Sequence, residues 1–185
     1  MAAVDTEKDL PEETYDDPKK QDPLSALPKS SMNLVSCKDS FFRAHKANNT
    51  FFNEEFWKQF DSTGFSVHHG TYRYNSDLAE LADFVQRNRV AGITREMDST
   101  LAHKYLFGVF KLFGNTLGET ELEVLFITRG QELHRDVFGE PLEYFEWNIL
   151  NNTDQDVRTH VSKFFHTNIS DKVGEKTVKH NAFFV

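Results

Sequence analysis

Two adjacent histidines, His68 and His69, lie in the stretch FWKQFDSTGFSVHHGTYRY (56–74) together with Asp61, Tyr72 and Arg73. Side chains of these types bind metals, move protons and hold anions, so any chemistry is sought here first. The stretch reads as a helix, a turn and a strand. On a strand, neighbouring side chains point to opposite faces, so His68 and His69 cannot meet at one ion without a bulge. His68 shares a face with Ser66, Gly70 and Tyr72, while His69 shares one with Val67, Thr71 and Arg73. Neither set supplies the three or four ligands of a zinc site, although a distant histidine such as His103 or His134 would add one. Surface or pocket-edge histidines are the plain expectation. A small ligand- or metal-binding domain using His68, Tyr72 and Arg73 is the competing class.

Other nucleophiles fare no better. Cys37, in NLVSCKDS, has Lys38 beside it but falls in an entry segment that reads as irregular, and an ordinary thiol is expected. No G-x-S-x-G elbow is present. GNTLG (114–118) joins two strands and leads into no helix, so it lacks the helix start that holds phosphate.

Arg129-Gly130-Gln131-Glu132 carries more information. Arg129 follows a strand that reads as buried on both faces, and Gly130 permits a sharp turn. Either Arg129 pairs with an acid such as Glu132 or Glu146, or Arg129 and Arg73 face a groove that receives an acidic or phosphorylated segment. Trp57 stands one step off the Phe52–Phe56–Phe60 stripe. It is the aromatic expected to reach the surface, where a Trp beside arginines makes an interface anchor. Trp57, Arg73, Arg129, Gln131 and Glu132 are therefore the candidate partner-contact residues.

The elements that position these groups follow from periodicity. Asn53 caps a helix through Phe56, Trp57 and Phe60, and Asp61–Gly64 ends it. Phe65–Tyr74 reads as a strand. A helix starts at Asn75 or Ser76 with Leu78, Leu81, Ala82 and Val85 inward, and residues 90–103 form a second helical connection. Tyr105–Phe113 and Glu121–Arg129 make a hairpin. Its first strand places Tyr105, Phe107, Val109 and Phe113 on one face and Leu106, Phe110 and Leu112 on the other, so both faces must be covered. EYFEWNIL (143–150) is a further strand. Thr153 or Asp154 caps the last helix, with Val157, Val161, Phe164 and Phe165 inward, and VKHNAFFV docks on the domain as an apolar end. The fold class is α+β: an antiparallel-dominated sheet with helices packed on both faces.

Composition sets the outer bounds. With 185 residues and a charge of −8, the chain is one acidic domain with no Lys/Arg run suited to nucleic acid. Its 18 Phe point to an aromatic core, and a lone cysteine excludes an internal disulfide and fits a reducing compartment. No apolar run approaches the length of a membrane span, since YLFGVFKLF is broken by Lys111. MAAVDTEKDL lacks the features of a signal peptide. Residues 1–30 hold eight acidic and four basic side chains and four of the five prolines, so they are expected to be a disordered acidic tail or linker ahead of a domain at 31–185, with the proline-punctuated QDPLSALPKS (21–30) extended against the domain edge.

Several separated strings share the order and spacing of one family: FWKQFDSTGFS (56–66), YRYNSDL (72–78), FITRGQEL (126–133) and YFEWNIL (144–150), preceded by DPLSALPKSSMNL (22–34). On these the chain resembles the carboxy-terminal domain of the gamma subunit of eukaryotic translation elongation factor 1. The resemblance implies a non-catalytic, cofactor-free scaffold domain acting through protein–protein contacts in the cytoplasm. Its partners would be the nucleotide-exchange subunits and the tRNA-delivering GTPase, with no nucleic acid or membrane bound directly. Family proteins begin with a glutathione-transferase-like domain associated with docking the exchange subunits. Residues 1–30 cannot supply it, so the chain is a fragment or a stand-alone copy. The family also carries bulky aromatics where this chain has Phe65-Ser66-Val67-His68-His69.

Overall fold

The computed structural model describes residues 22–114 and 117–185. The amino-terminal part of the expected tail therefore lies outside the described residues. Those described form seven α-helices and six β-strands, α1 (Leu34–Lys46), α2 (Glu54–Gln59), β1 (Phe65–Tyr72), α3 (Asn75–Ala79), α4 (Asp83–Asp98), α5 (Ala102–Tyr105), β2 (Leu106–Phe113), β3 (Glu121–Arg129), α6 (Arg135–Phe138), β4 (Phe145–Ile149), α7 (Gln155–His166), β5 (Lys172–Val173) and β6 (Lys176–Phe184). The strands join in the order β4-β1-β3-β2-β6-β5, and every pairing is antiparallel. The α+β class read from the sequence is the fold observed.

Side-chain alternation explains the two covered faces. Phe107, Val109 and Phe113 of β2, with Leu125 and Ile127 of β3, face Phe41 of α1, Phe56 and Trp57 of α2, and Phe164 and Phe165 of α7. Leu106, Phe110 and Leu112, with Val124 and Phe126, face Leu78 of α3, Ile93 and Met97 of α4, and Phe138 of α6. Phe41 alone meets seven other rings besides its helix neighbour Phe42, among them Phe52, Phe107 and Phe165. Such offset and edge contacts add to what simple burial contributes.

Local chemistry sets the ends of the elements. The Asn33 side chain accepts from Ser36 N at 3.0 Å to start α1, and Asn53 accepts from Phe56 N at 3.2 Å to start α2. Asp154 accepts from Asp156 N at 2.8 Å at the start of α7.

Several expectations need correction. Cys37 lies within α1, not in an irregular segment, because Asn33 caps a helix whose inward positions are Leu34 and Phe41. The helix begun at Asn75 breaks at Glu80–Ala82, which separates α3 from α4. Tyr105 closes α5 and joins the core opposite Phe107, because strand alternation begins only at Leu106. The apolar end does more than dock, since β6 pairs along β2 and completes that side of the sheet.

Residues 22–30, which composition places with the tail, lie against the domain. Pro23–Ala26 forms a 3-10 turn that buries Leu24. Asp22 accepts from Tyr105 Oη at 2.8 Å and from Lys104 Nζ at 3.0 Å. Ser30 bonds the Asp61 carboxylate, and that bond, with Thr63 and the Gly64 and Thr63 amides, holds Asp61 well below the usual carboxylate range.

Candidate functional site

β1 fixes the geometry of the sequence-predicted residues. His68 and His69 do point to opposite faces. His68 is buried, its Nε2 lies 2.8 Å from Ser66 Oγ, and Ser66 Oγ in turn donates to Gly130 O at 2.7 Å. With that hydroxyl proton committed to a carbonyl, Nε2 is the donor of the His68–Ser66 bond. Burial pushes the His68 imidazole down to about 4, so it is neutral near pH 7. This serine–histidine pair is turned inward, which suits a strand tie and not a nucleophile.

His69 takes a different environment. Its Nε2 meets Glu123 Oε2 at 2.8 Å, and Lys176 bonds both Glu123 and Glu121. Burial raises the Glu123 carboxyl, but the bonds to His69 and Lys176 outweigh it and leave the group below its ordinary value. His160 of α7 stacks its edge on His69 with ring centres 5.8 Å apart. Among the described residues, no group of three or more His, Cys, Asp or Glu side chains converges closely enough to hold a metal ion.

His68, Tyr72 and Arg73, the set offered for a ligand site, do not converge. His68 and Tyr72 lie four positions apart, roughly 13 Å along the strand. Both are buried. Arg73 leaves the strand end and donates through Nε to Phe145 O at 3.1 Å, with Nη1 3.4 Å from the Glu146 carboxylate. Arg73 and Arg129 also cannot share one groove. Arg129 pairs with Phe65 at the start of β1, whereas Arg73 follows its end, eight residues and roughly 26 Å away.

Arg129 pairs with neither Glu132 nor Glu146. Its guanidinium bonds the carbonyls of Gly64 and Pro28 and lies 5.4 Å from the Phe65 ring centre. Gln131 Nε2 faces the carbonyls of Ser62, Thr63 and Phe65 at 3.0–3.3 Å. Gly130 takes a φ of 84° to make this turn, and its N–H meets Gly64 O at 2.8 Å. These residues hold the α2–β1 turn and the incoming segment together. Glu132 is exposed beside them. Trp57 is not at the surface: it is 7% exposed, with Arg158 5.4 Å from its ring and no hydrogen-bond partner for Nε1. Helix α2 is short and packed on two sides, which brings the position one step off the Phe stripe into the core as well.

Sequence reasoning did not find the open surface. Tyr72, Tyr74, Asp77, Arg89, Glu96 and Tyr144 line a groove of about 590 Å³ where α3 and α4 meet the end of β1. Tyr74 is 50% exposed and meets Tyr72 edge-on at 5.5 Å. Tyr144 Oη donates to Glu96 at 3.1 Å, whereas Arg89 is exposed with no ion pair among the described residues. The string YRYNSDL held the signal, since two tyrosines flank an arginine just before a helix. A second groove, about 710 Å³, runs between α1 and α2 over Met32, Phe51, Phe56 and Phe60. Cys37 lines it, but burial pushes its thiol up and weakens it as a nucleophile.

The architecture is thus an α+β domain, aromatic on both faces of one antiparallel sheet. Residues 19–132 match the family model described as elongation factor 1 gamma, conserved domain, and the chain belongs to that family. It is 31% identical over 158 residues to "Probable elongation factor 1-gamma 1" of Arabidopsis thaliana, covering 82% of this chain and 36% of that protein. Identity to "Elongation factor 1-gamma" is 26% over 163 residues in Drosophila melanogaster and 25% over 164 residues in Artemia salina. Each of these two matches covers 86% of this chain. The chain spans 36% of the length of these relatives.

Proposed function

We propose that this chain is a non-catalytic interaction domain of the translation elongation factor 1 complex, supporting protein synthesis by contact with other subunits in the cytoplasm. Family membership over residues 19–132 carries this reading. The partners it implies are the nucleotide-exchange subunits and the tRNA-delivering GTPase. No helix among the described residues is long and apolar enough to cross a membrane.

Of the sequence candidates, Arg73 remains half-exposed at the end of β1, next in sequence to Tyr72 and Tyr74, which line the groove that Arg73 itself does not. Exposed Tyr74 offers a large, stiff ring at little entropic cost, and Arg89 offers a guanidinium with no ion pair among the described residues. Glu132 is a second exposed contact candidate, on the turn held by Arg129 and Gln131. Trp57 acts only by supporting α2.

The test is direct titration of this chain against the purified exchange subunits and the GTPase, with Tyr74→Ala and Arg89→Glu as comparison chains. Saturable binding to one subunit, weakened about tenfold or more by either change, is the expected result. A folded chain that binds none of them would overturn the docking role. Binding that neither change affects would remove the groove as the contact surface.

A further inference from the structure

Strand β4 stands at the margin of the sheet, and one of its two sides has no neighbouring strand among the described residues. The ladder shows which groups face outward. Arg73 N donates to Tyr144 O at 2.9 Å, and Leu150 N donates to Val67 O at 2.8 Å. With period-two alternation, Tyr144, Glu146, Asn148 and Leu150 aim their backbone groups at β1, while Phe145, Trp147 and Ile149 aim theirs away. Phe145 is satisfied, because its N–H reaches Leu142 O and its carbonyl accepts from Arg73 Nε. Trp147 and Ile149 have no backbone partner on that side among the described residues. Two donors and two acceptors therefore stand at ladder spacing along an exposed strand.

Glu146 is the one charged side chain on this edge strand, and the other usual protections are missing. FEWNI contains no lysine and no proline, and its register with β1 runs without a bulge. The opposite margin is different: β5 has only two residues, one of them Lys172. β4 is also held rigidly. Trp147 packs on Phe126 at 5.1 Å and Phe145 at 5.4 Å, and its indole N–H reaches Leu142 O at 2.8 Å. A strand already fixed in place loses little freedom when a neighbour is added.

Charge and shape select the occupant. Ile149 is 58% exposed on the Trp147 face, while the Glu146 side chain, paired with Arg73 at 3.4 Å, is 69% exposed on the other. Before the strand Glu140 and Glu143 share the single cation Arg135, which leaves this margin one carboxylate in excess. The chain carries −8, which attracts cationic segments and repels a second copy of itself. A five-residue strand pair also falls well short of the roughly 1,200 Å² of a stable interface between two copies. We propose that the outer edge of β4 takes an extended segment of a partner protein as an added strand, in which Lys or Arg alternates with β-branched apolar residues.

The probe is a capped nine-residue peptide alternating lysine with valine or isoleucine, followed by fluorescence anisotropy at physiological salt. A second version carries N-methyl groups on alternate amides, which keeps charge and side chains but blocks the ladder. Ile149→Pro removes an outward N–H and leaves the β1 ladder intact, and Ile149→Lys puts like charge at the edge. Saturable binding is expected, weakened roughly tenfold or more by N-methylation and by either change. Equal binding of the two peptides, unchanged binding after the Ile149 substitutions, or no binding at all would overturn the proposal. So would a dimer that Ile149→Pro or Ile149→Lys converts to monomer, because the occupant would then be a second copy. Should Ile149→Pro fail to fold, Ile149→Lys and the methylated peptide still decide. Failure here leaves the elongation factor reading untouched, since that is tested with whole subunits.

Discussion

Lys111 stands on the same face of β2 as Phe107, Val109 and Phe113 and is completely shielded from solvent. Its ammonium bonds Thr167 O at 2.8 Å and Asn181 Oδ1 at 2.6 Å, tying the end of α7 and strand β6 to the centre of the sheet. Burial drives it down to about 7, against 10.5 for an ordinary lysine. Between those values the unfolded chain binds a proton that the folded chain does not. Stability from this group therefore rises with pH, by about 1.4 kcal/mol per unit, and is lost as pH falls toward 7. Urea unfolding between pH 7.5 and 9 should show a gain of about 2 kcal/mol in the natural chain and none of that slope in Lys111→Met. The slope carries the test, because Met also leaves Asn181 Oδ1 without its donor, and Thr167 O with only Asn181 Nδ2 at 3.3 Å, which lowers the baseline. Parallel pH profiles for the two chains would mean that Lys111 keeps its proton when buried. The residue was visible in YLFGVFKLF only as an interruption. Strict alternation would have put it inward, but which carbonyls receive it depends on chain 56 and 70 residues away.

The turn from α2 into β1 shows how separate elements share one fastening. Gly64 O accepts from both Gly130 N and the Arg129 guanidinium, Gln131 covers three neighbouring carbonyls, and Pro28 O completes the set. Arg129→Ala should cost about 1–3 kcal/mol, the range for charge-assisted bonds to backbone acceptors. Faster amide exchange is expected in residues 61–64 and earlier protease cutting near Pro28, with subunit affinity unchanged. Lost affinity with unchanged exchange would instead make Arg129 a contact residue. The sequence marked Arg129, Gly130 and Gln131 as informative, and Gly130 as a sharp turn. It paired Arg129 with acids because a carboxylate partner is written in the sequence, whereas a backbone carbonyl is available at every position and carries no signature.

The two aromatic cores lie back to back on one sheet, so neither can be lost without exposing the other side of β2 and β3. Phe41→Ala on the α1 side should cost about 3–5 kcal/mol, a large share of the 5–15 kcal/mol of an ordinary domain. Trp57 reports on that face and Trp147 on the opposite one, so Trp57→Phe and Trp147→Phe chains give two independent probes. Both should unfold at the same urea midpoint and shift together when Phe41→Ala is added. Separate midpoints would mean that the faces come apart independently.

Hydrophobic periodicity by itself determined that this chain builds a sheet covered on both faces, and caps such as Asn53 and Asp154 determined where its helices start. Strings spread from residue 22 to residue 150 were enough to place it in its family. These signals are local, since a strand shows its faces by alternation and a helix by its 3.6-residue period. Only the tertiary structure decided that Trp57 is buried, that Arg73 and Arg129 stand apart, that the carboxy-terminal segment completes the sheet, and that β4 is left with an open edge. Each of these depends on which elements become neighbours, and strand order is set by packing between segments far apart in sequence, which no local pattern encodes.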